Sequence, residues 1–124
     1  MQTHFDGELQ QLKSDIMKMA SLTRQALMNA VEALKSRDPA AAKRVIDGDA
    51  ELDALELEID EKCINLIALH QPMAGDLRFI TTGMKLNAEL ERIGDLAVDV
   101  AQRALDISGK PLLKPLVDIP RLAV

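Results

Sequence analysis

Aromatic residues are almost absent from this sequence: it has no tryptophan, no tyrosine and two phenylalanines in 124 residues. Hydrophobic residues nevertheless make up 48% of the chain, so its core must be built from Leu, Ile, Val, Met and Ala. Side chains of this kind suit helix-on-helix packing better than a sheet. The length allows one domain with a moderate core.

Cysteine, basic charge and long apolar runs are also scarce. The single cysteine, Cys63, excludes an intramolecular disulfide and fits a reducing compartment. No run of 18 apolar residues exists, which excludes membrane insertion, and charged residues interrupt the first fifteen positions where a secretory signal would need an apolar stretch. The net charge of -5 argues against nucleic acid as a partner. We therefore expect a cytoplasmic protein.

Apolar residues recur at steps of four and three over long stretches, which predicts three long helices. The breaks are at Asp38-Pro39, where Asp38 can cap a helix that Pro39 begins, and around Pro72. The predicted helices span residues 5–36, 39–70 and 73 or 76 to 108, where Gly109 and Pro111 stop the last one. Long helices with short connections must lie antiparallel, so the expected fold is all-α, an antiparallel three-helix bundle.

The third helix carries two patterns at once. One is an apolar line expected to face the core, formed by Leu86, Leu90, Ile93, Ala97, Val100, Ala104 and Ile107. The other is a strip of carboxylates at steps of four, formed by Glu91, Asp95 and Asp99. The helix is therefore predicted to bury one line of side chains and to hold a row of acids at the surface.

Residues 109–124 differ from the bundle at 1–108 in composition. Three prolines and five large aliphatic residues fall between positions 110 and 120. We interpret this segment as extended rather than helical, and in need of a surface to lie on. Its aliphatic side chains predict a homo-oligomer, with Leu112, Leu113, Leu116 and Val117 in the contact.

Two acidic pairs stand out as a candidate metal site. Asp49 and Asp53 lie one helical turn apart on helix two, as Glu91 and Asp95 do on helix three. Folding the hairpin about Pro72 brings the two pairs to the same height on neighbouring helices. Residues 45–61 contain eight acids and no base, so the first pair lacks a cation nearby. Oxygen-only clusters suit hard cations or iron.

Several alternatives compete with this interpretation. The acids could form a solvated face without a metal, and Arg92 could simply pair with Asp95. A di-iron bundle enzyme would need Glu-x-x-His motifs, and neither His4 nor His70 follows a glutamate by three positions. Cys63 falls on the apolar line of helix two, which is typical of a small core residue. Gly48 and Gly94, next to the two pairs, are expected to leave room for a ligand.

The sequence resembles one known family. The segment Gln-Pro-Met-Ala-Gly-Asp-Leu-Arg at residues 71–78, together with Glu-Arg-Ile-Gly-Asp at 91–95, is similar to motifs of the PhoU family of bacterial regulators of phosphate uptake. Asp49 and Asp53 resemble the first acidic motif of that family, and Glu91 and Asp95 the second. The combination of the turn and the acidic motif is specific, and the resemblance runs from about residue 5 to residue 119.

The resemblance implies a fold, a function and a site. PhoU proteins repeat a three-helix bundle twice, whereas this chain holds one repeat and ends where residues 118–121 resemble the start of a second. It would then be a one-repeat relative or a truncated form. Iron or zinc clusters on the acidic motifs would place ligands at Asp49, Asp53, Glu91 and Asp95.

In function, the resemblance implies a regulatory adaptor with no catalytic activity, which represses the phosphate-starvation response. Its partners would be the ATPase of the phosphate ABC transporter and a sensor histidine kinase. A metal-free helical interaction module, or a carboxylate-bridged metalloenzyme, remain the alternatives.

Overall fold

The computed structural model describes residues 3–108, which form three α-helices and no strand. They are α1 (His4–Ser36), α2 (Pro39–His70) and α3 (Ala74–Ser108). The three pack on one another as an antiparallel bundle, which confirms the predicted fold class. The segment 109–124 and the oligomer contact predicted for it lie outside the described residues.

Local capping chemistry sets the helix ends. Thr3 caps α1: its hydroxyl accepts a hydrogen bond from Asp6 N (3.0 Å) while the Asp6 carboxylate accepts one from Thr3 N (3.2 Å). Asp38 caps α2 as predicted, accepting from Ala41 N at 3.1 Å. The chain reverses at Arg37 and Gln71, both in the left-handed conformation that ends helices. These short connections hold the helices side by side.

The core has two parts of different composition. One part is built from large aliphatic side chains with Cys63: Leu12, Ile16, Met19, Leu52, Leu55, Ile59, Cys63, Leu66, Ile80 and Leu90. The other, towards the α1–α2 connection, is built almost entirely from alanine: Ala30, Ala33, Ala42, Val45, Ala97, Ala101 and Ala104. The bundle therefore has an end with bulky packing and an end where the helices meet through small side chains.

The buried line of α3 differs from the one predicted. It consists of Ile80, Gly83, Asn87, Leu90, Gly94, Ala97, Ala101 and Ala104. Leu86, expected in the core, is 47% exposed, and Ile93, Val100 and Ile107 are half-buried. The helix is turned so that small and polar residues face its neighbours. At Gly83 an added Cβ would lie 2.8 Å from Ile16 Cδ1, so the absence of a side chain lets α3 approach α1 closely.

Polar contacts also fix the relative positions of the helices. Lys62 of α2 forms an ion pair and hydrogen bond with Asp15 of α1. The Arg37 guanidinium donates to the Ile107 carbonyl oxygen at 2.8 Å, which ties the α1–α2 connection to the end of α3. None of the three described helices has a stretch both long and apolar enough to cross a bilayer.

Candidate metal centre

Three of the four predicted ligands come together on the outer face of the α2–α3 pair. Carboxylate oxygens of Asp49, Asp53 and Asp95 all lie within 4.8 Å of one another. Asp49 is half-buried, whereas Asp53 and Asp95 are exposed. The i,i+4 step on α2 aligns the first two, and the antiparallel hairpin brings the third level with them. Among the described residues this is the one group of three potential ligands so closely spaced.

Glu91, the fourth predicted ligand, lies at the margin of this group. It is half-buried and is not within the 4.8 Å set, yet it interacts electrostatically with its members. Burial raises the pKa of the Glu91 carboxyl to about 7, and repulsion from the other acids, first Asp95 and then Asp53, adds to the effect. Among the four predicted ligands, Glu91 is therefore the carboxyl whose ionisation the surroundings disfavour most.

The same cause affects neighbouring acids on α2. Burial, and then repulsion from Asp53 and Asp95, raises the pKa of Asp49 above its ordinary value. The pKa of Glu56 is also raised, by burial first and then by the charge and hydrogen bond of Asp60. The α2–α3 face thus holds more negative charge than its surroundings readily accommodate, which is the electrostatic condition that a bound cation relieves.

Protein cations do not supply that relief. Within residues 3–108, no salt bridge involves any of the four predicted ligands. The interpretation that Arg92 pairs with Asp95 is wrong, because its guanidinium lies 3.9 Å from Glu89. The Arg92 side chain points away from the acidic face, and both it and Glu89 are mostly exposed to solvent.

Sequence reasoning missed Asn87, which holds α3 in register beneath this face. Its side chain is fully buried, and its Nδ2 donates to the Glu56 carbonyl oxygen (3.0 Å) and to Asp60 Oδ1 (3.1 Å). Its Oδ1 has no hydrogen-bond partner among the described residues. Asn87 precedes Glu91 by one helical turn, so these bonds also set the height of Glu91 and Asp95 against α2. The signal in the sequence that could have identified Asn87 was its position four residues before Glu91.

The expectation that the two glycines leave room for a ligand is wrong for Gly94. Gly94 is buried, and a Cβ there would meet Leu52 Cδ1 at 3.5 Å and Thr23 Cγ2 at 3.8 Å, so it faces the core. Gly48 is exposed, and apart from its chain neighbours and the backbone of its own helix no described atom lies within 4 Å of where its Cβ would be. The rotation of α3 that buries the small residues accounts for the position of Gly94. Access to the carboxylates comes from their place at the surface.

The remaining candidates are not brought to this face. Cys63 is buried, and burial raises the pKa of its thiol to about 11, as expected of a core residue and unlike a nucleophile. Asp99 is exposed and outside the three-carboxylate set. His70 lies about 25 Å from Asp53 along α2 at 1.5 Å per residue. The face therefore offers oxygen ligands alone.

Comparison with known proteins gives concordant matches. A family model, the PhoU domain, matches residues 16–104. The chain is 45% identical over 112 residues to the phosphate-specific transport system accessory protein PhoU homolog of Aquifex aeolicus, covering 90% of this chain and 51% of that protein. It is 39% identical over 120 residues to the corresponding PhoU of Escherichia coli, covering 94% of this chain and 50% of that one.

A solved structure is similar as well. The crystal structure of PhoU from Pseudomonas aeruginosa superimposes with a TM-score of 0.86 at 34% sequence identity, covering 95% of this chain and 57% of that chain. The chain spans about half the length of the curated relatives it matches. The similarity therefore extends over nearly all of this chain but over only part of each relative.

Proposed function

Because the chain belongs to the PhoU family, we propose that it is a regulatory adaptor of phosphate uptake and signalling rather than an enzyme. The observation that carries this proposal is the match of the PhoU domain across residues 16–104, which includes both acidic pairs. Its relatives are named as accessory proteins of phosphate-specific transport. An accessory role needs binding surfaces, and an exposed carboxylate face can serve as one.

The partners that we propose are those that the family resemblance implies. They are the ATPase of the phosphate ABC transporter and a sensor histidine kinase, contacted in the cytoplasm. Through them the protein represses the phosphate-starvation response. The acidic face favours basic surfaces on these partners, because complementary charge accelerates association and discourages partners of like charge.

We propose further that this face binds iron or zinc. Asp49, Asp53 and Asp95 already bring oxygens within 4.8 Å of one another, and Glu91 interacts electrostatically with all three. Carboxylate oxygens are the ligands that hard cations prefer. The ion would neutralise charges that otherwise repel one another, and so make the charge of the exposed α2–α3 face depend on metal.

A metal-free interaction module is the second candidate, and one observation favours it. Leu57 and Ile64 of α2 are 57% and 55% exposed, and Leu57 stands between Glu56 and Glu58 in sequence. Large apolar side chains flanked by acids are a common composition for a surface that binds another protein. On this alternative, Leu57 and Ile64 carry the contact with the partner, and the carboxylates stay solvated.

Metal binding is tested by melting the untagged chain with and without ferric, zinc and manganese ions. We expect one of these ions to raise the midpoint of the wild type by mass action and to raise that of Asp53→Asn, Asp95→Asn by less. Asp99→Asn is the matched control, since it removes an exposed acid of α3 outside the cluster and so keeps the response. If no ion raises the wild-type midpoint, or the double variant responds equally, the metal site does not exist.

The adaptor role is tested by co-purification with the transporter ATPase and, separately, with the kinase. We expect wild type and Asp99→Asn to retain these partners. Retention by the double variant Asp53→Asn, Asp95→Asn would favour the metal-free module, in which Leu57 and Ile64 carry the contact. Failure of the wild type to bind either protein would overturn the adaptor proposal, whatever the melting experiment reports.

A further inference from the structure

The two histidines of the chain meet at one carboxylate oxygen. His4, the first residue of α1, has its Nε2 at 2.8 Å from Glu8 Oε1. His70, the last residue of α2, has its Nε2 at 3.4 Å from the same oxygen. These are the only two histidines of the sequence. One imidazole comes from the start of α1 and the other from the end of α2, and both contact the same Glu8 oxygen.

We propose that His4, Glu8 and His70 form a second metal site, for a divalent ion of the zinc class. Two imidazole nitrogens and a carboxylate oxygen are a donor set that suits zinc, copper or nickel better than calcium or magnesium. Zinc commonly takes three such protein ligands and leaves a fourth position to water. The site lies at the end of the bundle formed by the α1 N-terminus and the α2 C-terminus.

The surroundings hold two of the three ligands in place. His70 and Glu8 have side chains that are 28% and 32% exposed, and the Phe5 ring stacks on the His70 imidazole with centroids 4.4 Å apart and a tilt of 36°. The capping box of Thr3 and Asp6 fixes the backbone at the start of α1. The histidine of α2 therefore presents Nε2 towards Glu8 from a supported position.

The third ligand closes the set by rotation. The three donor atoms are not all within 4.8 Å of one another, so the group is open as it stands. The His4 side chain is 89% exposed and free to turn about its χ angles without disturbing the core. Its i,i+4 spacing to Glu8 puts both side chains on one face of α1, the spacing at which paired helical ligands bind zinc.

This site and the carboxylate cluster differ in place and chemistry. They are about 25 Å apart along α2 at 1.5 Å per residue, and one offers nitrogen while the other offers only oxygen. An ion held by His4, Glu8 and His70 links the start of α1 to the end of α2. Its presence does not depend on the adaptor function or on the carboxylate site.

The test uses the imidazole protons, because two histidines give only two Hε1 signals. Zinc is titrated into the untagged full chain carrying Asp53→Asn, Asp95→Asn, which removes binding at the acidic cluster. We expect both signals to shift together and to saturate at one zinc per chain. Glu8→Gln and His70→Gln weaken binding at least about tenfold, as loss of a ligand or its partner does. Glu32→Gln, an exposed change elsewhere on α1, leaves it unchanged.

Circular dichroism before zinc addition confirms that each variant is folded, so a lost response reports the site. Three outcomes of the zinc titrations overturn the proposal. They are shifts of only one imidazole, shifts that fail to saturate below about 1 mM zinc, and equal affinity in Glu8→Gln or His70→Gln. A magnesium titration should move neither signal, and a shared saturating response to magnesium also contradicts the assigned donor chemistry.

Discussion

Replacing Glu91 by glutamine is expected to stabilise the fold at neutral and alkaline pH. The pKa of this carboxyl rises from 4.5 to about 7 in the folded protein, because of burial and of repulsion from Asp95 and Asp53. The full shift corresponds to about 3 kcal/mol at 1.36 kcal/mol per pKa unit. Since the side chain is only half-buried, screening by water reduces the expected gain to roughly 1–2 kcal/mol.

The sign of the pH dependence follows from the raised pKa. Below pH 4.5 the carboxyl is protonated in both the folded and the unfolded chain, so it contributes no difference. As the pH rises towards 7, the unfolded chain releases this proton first, and the free energy of unfolding falls. Above about pH 7 the penalty is complete. The glutamine variant has no titratable group at position 91, so its free energy of unfolding should fall less than that of the wild type as the pH rises.

Urea unfolding at pH 4 and pH 8, in the presence of a chelator, measures this difference. The variant and the wild type should agree within about 0.5 kcal/mol at pH 4, and the variant should be more stable at pH 8. Glu89→Gln is the matched control, because it removes an exposed acid two residues away whose contact is Arg92. A Glu91→Gln variant no more stable than wild type at pH 8 would refute the electrostatic account of the site.

Three further predictions follow from packing. Gly48→Ala should raise the free energy of unfolding by roughly 0.5–1 kcal/mol, since no described atom crowds its Cβ, whereas Gly83→Ala gains less because its Cβ meets Ile16. Asn87→Ala should lower it by roughly 1–3 kcal/mol by removing two hydrogen bonds to α2; urea midpoints measure all three variants. Cys63 in the folded chain should react with iodoacetamide at pH 8 at least about a hundredfold more slowly than in urea, since it is buried and its pKa is raised to about 11; equal rates would contradict this.

The helix boundaries could be predicted because their causes are local. Asp38 and Pro39 act through bonds and backbone geometry within one turn, and the structure begins α2 where these residues place it. Pro72 likewise marks the second reversal, and α3 begins at Ala74, between the two predicted starts. The sequence also predicted that Asp49 and Asp95 lie at the same height on neighbouring helices, because a tight hairpin leaves little freedom in the register of its two helices.

The rotation of α3 was not accessible from hydropathy. Leu86 is the more apolar residue, yet Asn87 is the buried one. Two hydrogen bonds offset the desolvation of the asparagine amide, and Gly83 and Gly94 permit an approach that a bulky side chain would prevent. A hydrophobic pattern records what each residue prefers alone, not how closely two backbones can meet. The partial burial of Glu91 follows from the same rotation and was missed for that reason.

The unequal core predicts an uneven hydrogen-exchange profile along the bundle. Alanine buries little apolar surface, so the free energy of local opening should be small at the end of the bundle near the α1–α2 connection. Amides around Ala33, Ala42 and Ala101 should exchange through local openings. Those around Leu12 and Ile59 should exchange only on global unfolding. The acidic pairs lie near the boundary between these regimes. A cation bound there would therefore slow exchange most on the alanine side.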